Sequence, residues 1–352
     1  MNVQNYRNEI LEQPSVINKV PEQFYPEILK DLKNLKKKID KKEIDKIIIT
    51  GMGASLYGSY PLYLFLNKHI QIPISIWDCS ELIQQTPNVI TNKTIIIATS
   101  QSGESVELIK LTELKQQPKI SISISNLPNN TLSNWSNISI FTNAGKEGTV
   151  SSKTYTGGCA AHHILGSTLI KKEKKAIIEI KTLSKKLKSF LNKLEKTTNK
   201  SCDFIEPSNA LTFIGRGLSY SSAAYSALIT AEASKLPSIG LSAGQFRHGP
   251  IEIVQKDFSC ITFLGSKKNL DINKRLVKDI IKFGGKCLVI TPSNNRIFNN
   301  KNLRIIKMPQ INEDLLPILE VVPIQLMQLQ LAKNRGFEAG IFKNANKVTS
   351  IE

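Results

Sequence analysis

Residues 47–59 read IIITGMGASLYGS, and residues 211–222 read LTFIGRGLSYSS. Each is a short apolar, β-branched run, then Gly-x-Gly-x-Ser, then small residues able to enter a helix. Gly51, Gly53 and Ser55 recur as Gly215, Gly217 and Ser219, 164 residues further on. Self-similarity at a fixed offset is the mark of a duplicated unit. The next run keeps the register: IIIATS ends at Ser100 and ITFL at Leu264, each 49 residues after the first glycine of its half. Third runs follow at 120–125 (ISISIS) and 287–290 (CLVI), and fourth runs at 138–141 (ISIF) and 303–308 (LRIIKM).

Runs this short and this continuously apolar suit strands buried on both faces of a parallel sheet. The gaps between them are long enough for crossover helices. The expectation is two similar α/β sandwiches in tandem. Between them, about 171–205, Ile180, Leu183, Leu187, Phe190 and Leu194 fall on one helical face. That segment reads as an amphipathic connecting helix whose lysines form its solvated side. The expected division is 1–30 as a helical segment, 31–170 and 206–340 as the two sandwiches, and 341–352 as a tail.

The chain has 352 residues, 41% apolar and 22% charged. That is an ordinary globular composition, and the length is ample for a core without disulfide or metal staples. No uncharged apolar stretch of about 18 residues predicts a membrane span. The start, MNVQNYRNEILEQP, lacks the apolar core of a secretory signal. Five scattered cysteines without a CxxC pair fit buried roles in a reducing cytoplasm. The net charge of +18 comes with little Arg in its basic runs and no nucleic-acid motif, so no nucleic-acid partner is expected. It also fits a phosphorylated substrate or a Lys-rich composition bias.

Ligands of open parallel sheets bind beyond the carboxyl ends of the strands. After the second apolar run of the first half comes Ser100-Gln101-Ser102-Gly103-Glu104-Ser105, ahead of the helical pattern VELIKLTEL. Unpaired N–H groups and the positive end of a helix favour an anion there, and small hydroxyls add donors. Helix capping would need only one of these serines; the density points to phosphate. Thr149-Val150-Ser151-Ser152-Lys153-Thr154 is either a second substrate loop or a plain helix start. Glu232 lies in a small-residue helix, where it is either a base with a raised pKa or an exposed helix residue. His248 precedes Gly-Pro and so sits on a turn. His162 and His163, adjacent in a helix, read as structural, and no histidine has metal-ligand spacing. The patterns for a dinucleotide fingerprint, a P-loop and a nucleophile elbow are absent.

Taken together, the repeated Gly-x-Gly-x-Ser, SQSGES at 100–105, VSSKT at 150–154, SAGQFRHGP at 242–250, NKVTSIE at 346–352 and EILEQP at 9–14 resemble the tandem sugar isomerase (SIS) domain family. The pattern is similar to the isomerase half of the glucosamine-6-phosphate synthases over nearly the whole chain. The resemblance implies two SIS domains, each a parallel five-stranded flavodoxin-like α/β/α sandwich. It implies a stand-alone cytoplasmic phosphosugar isomerase or amino-sugar-phosphate deaminase, active as a homodimer on a hexose or amino-hexose 6-phosphate, without metal or organic cofactor. A fructosamine-6-phosphate deglycase and a non-catalytic sugar-phosphate sensor are the alternatives.

By the same resemblance, Ser100, Gln101, Ser102 and Ser105 hold the phosphate, and Ser55 and Ser151 touch sugar hydroxyls. Glu232 moves the proton between C1 and C2. His248, from the neighbouring subunit, helps open the ring. Lys347 of the tail closes over the sugar and can form a Schiff base. Three positions depart from the family pattern. Asn2 stands where the synthases begin a glutaminase domain with a catalytic cysteine, so the chain is expected to draw no ammonia from glutamine by itself. Ile229 stands where they have a lysine three residues before the glutamate, and Ala54 replaces a threonine at the first glycine turn.

Overall fold

The computed structural model describes residues 4–205, 209–292 and 297–349; Asn2 and the last three residues of the tail lie outside them. In chain order the elements of the first half are α1 (Gln4–Lys19), α2 (Pro26–Asp40), β1 (Lys46–Gly51), α3 (Gly53–His69), β2 (Ile74–Asp78), α4 (Cys79–Gln85), β3 (Thr94–Thr99), α5 (Val106–Thr112), β4 (Ile120–Ser125), α6 (Thr131–Trp135), β5 (Ile138–Phe141) and α7 (Lys153–Leu169). The long α8 (Glu173–Ile205) leads to β6 (Leu211–Gly215), α9 (Ser219–Ser234), β7 (Ser238–Ser242), α10 (Ala243–Arg247), β8 (Ser259–Phe263), α11 (Leu270–Lys282), β9 (Lys286–Pro292), β10 (Leu303–Met308) and α12 (Leu316–Asn334).

The strands form two parallel five-stranded sheets, in the orders β2-β1-β3-β4-β5 and β10-β9-β8-β6-β7. Counted from the start of each half, both are 2-1-3-4-5. The chain reverses its winding direction between the first and third strands of such a sheet, which leaves a crevice at their carboxyl ends. Every apolar run noted above is a strand. The edge strands β2 (ISIWD) and β7 (SIGLS) were not legible as runs. Both are largely half-buried, so nothing selects a continuous apolar stretch there.

Side-chain alternation divides the core. In the first sheet Ile48, Ile96 and Ala98 point to the face covered by Cys79 and Leu82 of α4, Leu108 and Leu111 of α5 and Leu132 of α6. The intervening Ile47, Ile49, Ile95 and Ile97 are equally buried and face the other side, where α3 and α7 pack on one another. In the second sheet Ile214, Cys260, Cys287 and Val289 pack under α10 and α11, with α9 and α12 paired on the opposite face. The glycine turns repeat in conformation as well as sequence. Gly53 and Gly217 have φ of 48° and 60°, a left-handed geometry that a side chain would strain.

The predicted apolar face of α8 is buried, from Ile180 through Leu194. The helix spanning Glu313–Asn334 is long and apolar enough to cross a membrane by composition, and 89% of that stretch is buried. Burial is what a core helix shows, and Pro323 and Glu320 sit within it.

Contacts divide the chain into two compact units that do not follow chain order strictly. One comprises Glu12–Glu147, Ser151–Ser184 and the tail from Asn344; the other comprises Lys185–Lys343, Gly148–Val150 and the chain up to Leu11. α8 is shared between them rather than standing as a separate connector. We call them the first and second units.

Candidate functional site

The first unit carries a cleft at the carboxyl ends of its strands, the place where such sheets bind ligands. Three segments converge on it. The glycine turn after β1 brings Ala54 and Ser55, the end of β3 brings Thr99, Ser100 and Gln101, and the head of α7 brings Ser151 and Thr154. Asn126 and Thr142, after β4 and β5, complete one wall. None of the described residues lining it is charged. Hydroxyls and amides dominate, which suits a hydroxyl-rich ligand bound by neutral donors and acceptors.

The Ser100–Ser105 loop is built by its own serines. Ser100 Oγ accepts the Gly103 N–H at 3.1 Å, and Ser102 Oγ accepts that of Glu104 at 3.1 Å. The Glu104 carboxylate accepts from Thr131, both backbone N–H (2.6 Å) and hydroxyl (2.8 Å). Gly103 has φ 70°, and a Cβ there would lie 1.9 Å from Asn130 Oδ1, so glycine is required. The first N–H of α5, on Val106, donates to the Thr349 carbonyl at 3.2 Å. The helix head expected to be open to an anion is thus partly occupied by the tail.

Ser151 and Thr154 owe their placement to a residue the sequence reading passed over. Glu147 has a side chain with no solvent exposure. It accepts from the Ser152 N–H (2.9 Å) and hydroxyl (3.2 Å), and from the Thr154 N–H (3.1 Å) and hydroxyl (2.6 Å). It therefore does the work of a helix cap for α7, whose own N-cap Ser152 makes no side-chain cap bond. Lys347 Nζ donates to Glu147 Oε2 at 2.7 Å. Burial alone would raise the Glu147 pKa; the Lys347 charge and the bonds from Lys347 and Thr154 outweigh it and hold it below the ordinary carboxylate value. The signal that could have found Glu147 is an acidic residue five positions before a hydroxyl-rich helix start.

Beneath the cleft lies His162, 1% exposed. Its Nε2 is 2.9 Å from Thr99 Oγ1 and 3.4 Å from Ser59 Oγ. Burial lowers its pKa to about 4, against a smaller opposing effect of the Gly58 carbonyl, so the ring is neutral at ordinary pH. Cys159 also lines the cleft, but burial pushes its thiol up to about 12, which removes it as a nucleophile. All five cysteines are buried, and none is in a disulfide.

Of the expected residues, Ser55, Ser100, Gln101 and Ser151 line the cleft. Ser105 stands next to it, its Oγ 3.5 Å from that of Ser100, and Ser102 supports the same loop. Lys347 belongs to the same unit through Glu147. Glu232 and His248 belong to the second unit. Glu232 is half-buried near the end of α9, and His248 is exposed just after α10. Ile229, one turn before Glu232, is fully buried. Lys235, also missed from sequence, sits in a left-handed conformation at the end of α9 and reaches the carbonyls of Glu232 and Ile341 (2.7 Å to the latter). Burial lowers its pKa, with Glu232 opposing and Lys343 reinforcing.

A duplicated doubly wound sheet with a hydroxyl-lined crevice at the strand ends is the framework of a small-molecule-binding α/β protein. Residues 204–335 match the SIS domain family. The chain contains an SIS domain over those residues and is similar to the isomerizing glutamine–fructose-6-phosphate aminotransferases. It is 27% identical to the isomerizing glutamine–fructose-6-phosphate aminotransferase of Clostridium perfringens, over 98% of this chain and 58% of that protein. The chain spans about half the length of the curated relatives it matches. In structure it resembles the C-terminal domain of the glucosamine-fructose-6-phosphate aminotransferase of Francisella tularensis (TM-score 0.83, 22% identity, 96% and 97% of the two chains). It also resembles a glucosamine-6-phosphate deaminase of Thermotoga maritima (TM-score 0.74, 18% identity, 98% and 99%).

Proposed function

We propose that the chain is a phosphosugar enzyme of the isomerase or deaminase type, acting on an amino-hexose or keto-hexose 6-phosphate. The observation that carries this is the cleft of the first unit. A neutral hydroxyl- and amide-lined cavity adjoins the serine-built Ser100–Ser105 loop, and the Lys347 ammonium is tethered at its Thr154 side. A hexose phosphate presents hydroxyls to the first, phosphate to the second and a carbonyl oxygen to the third. The 2-1-3-4-5 strand order supports reading each half as a flavodoxin-like sandwich.

In this reading Ser100, Gln101, Ser102 and Ser105 hold the phosphate, and Ser55 and Ser151 meet sugar hydroxyls. Lys347 engages the carbonyl. The roles of Glu232, as the base moving the proton between C1 and C2, and of His248, as the ring-opening group, rest on the family resemblance. Such an exchange needs one carboxylate base, a donor or amine at the carbonyl and a phosphate anchor. A cytoplasmic homodimer belongs to the same reading. The buried Ile229, where the synthases have lysine, favours a second reading: a fructosamine-6-phosphate deglycase, or a sensor without turnover.

The test is a turnover and thermal-shift screen. It covers fructose 6-phosphate with and without ammonium, glucosamine 6-phosphate, galactosamine 6-phosphate and fructosyl-amino-acid 6-phosphates. Turnover of one of them, abolished in Glu232→Gln with binding retained, is expected. Thermal shift without turnover would favour the sensor; no shift with any phosphosugar would refute the proposal.

A further inference from the structure

His162 lies below the residues proposed to meet substrate, yet its contacts run into both of the segments that carry them. Thr99 is the last residue of β3, one position before Ser100. Ser59 is one turn beyond Ser55 in α3, and its hydroxyl donates to the Ser55 carbonyl at 2.8 Å. The ring thus touches the strand that leads into the phosphate loop and the helix turn that fixes the sugar-facing serine. Ser59 Oγ and Thr99 Oγ1 are themselves 3.3 Å apart, so three side chains from β3, α3 and α7 close one buried cluster under the cleft.

Burial keeps the ring neutral. Nε2 lies 2.9 Å from the Thr99 hydroxyl, which donates to it or accepts from it according to the tautomer, while Nδ1 makes no hydrogen bond. A buried ring with one nitrogen unbonded is kept at a cost. An apolar side chain would fill the space between α3 and α7 without it.

Resting on the function proposed above, we propose that His162 is a positioning residue of the sugar-phosphate site. Its neutral ring, bonded to Thr99 and abutting Ser59, sets the distance between the Ser55 turn and the Ser100–Ser105 loop. A ligand that bridges the two segments feels that distance; one that occupies only the loop does not.

The experiment compares wild type, His162→Leu and His162→Gln for binding of fructose 6-phosphate and of inorganic phosphate. It also follows amide hydrogen exchange at 55–59 and 99–105 without ligand. In His162→Leu the affinity for fructose 6-phosphate should fall at least tenfold, that for phosphate should stay within threefold, and exchange in both segments should rise. His162→Gln, which keeps a hydrogen-bonding group for Thr99, should recover most of the loss. Equal weakening of both ligands, or no rescue by Gln, would mean general destabilisation and overturn the proposal. If wild type binds no hexose phosphate, the function fails on its own account. The positioning role is then decided by exchange, and unchanged protection at 55–59 and 99–105 overturns it.

Discussion

Lys347 and Glu147 stand 200 positions apart in the sequence and form an ion pair of 2.7 Å, with the carboxylate fully buried and the lysine side chain 23% exposed. The pair joins the carboxy-terminal tail to the head of α7. A second tie, from the Val106 N–H to the Thr349 carbonyl, joins the same tail to the head of α5. Both helix heads carry residues proposed to hold substrate, so the tail is fastened beside the cleft at two points.

Loss of the ion pair should release the tail. Lys347→Met leaves Glu147 with four neutral donors and no cation, and should cost about 1.5–3 kcal/mol, the range for a hydrogen bond to a charged group. Carboxypeptidase digestion of the folded protein would read the release directly. Digestion at the wild-type rate would show that the Thr349 tie alone secures the tail. Because Glu147 titrates below its ordinary value, its contribution is present at neutral pH and lost as the pH falls through that lowered pKa. The stability gap between wild type and Lys347→Met should therefore close in acid.

The second unit buries a carboxylate of the opposite tendency. Glu320 on α12 is fully buried and accepts from the hydroxyls of Ser219 (2.8 Å) and Ser222 (2.5 Å). Burial raises its pKa to about 7, against smaller lowering effects of Ser222 and Ser219. The folded state then binds a proton that the unfolded state has released between about pH 4.5 and 7. Stability is lost as pH rises across that window, on the order of 3 kcal/mol in total. Glu320→Gln should be more stable relative to wild type at pH 8 than at pH 5. Thermal unfolding at both values checks this, and an equal difference at both would show that Glu320 does not titrate there.

The two loop serines should separate fold from ligand. Ser100 is 4% exposed and its hydroxyl satisfies the Gly103 N–H, so Ser100→Ala should cost about 1 kcal/mol of stability as well as affinity. Ser102 is half-buried, and Ser102→Ala should weaken phosphosugar binding with little change in melting temperature. Melting curves with and without fructose 6-phosphate distinguish the two, and a matching drop for both variants without ligand would reduce Ser102 to a turn-former.

The duplication, the parallel-sheet class and the central strands were readable from residues 47–59 and 211–222 and the apolar runs that follow each, and the phosphate-loop candidates from residues 100–105. Each depends on neighbours within a few positions. A strand buried on both faces must be continuously apolar, and a tight strand–helix turn must supply glycine where φ is positive. The edge strands β2 and β7 escaped because half-buried backbone imposes no such run. Glu147, His162 and Glu320 escaped for a different reason. Local sequence shows an acid before a helix, a histidine inside one and a glutamate in an apolar stretch. Each acquires its role from groups 63 to 200 residues away: Thr99 for His162, Ser219 and Ser222 for Glu320, Lys347 for Glu147. Short-range pattern thus settled the architecture, because secondary structure and its turns are short-range chemistry. Which buried polar groups meet, and in which protonation state, was left to the folded chain, because desolvation and pairing exist only once distant segments have packed.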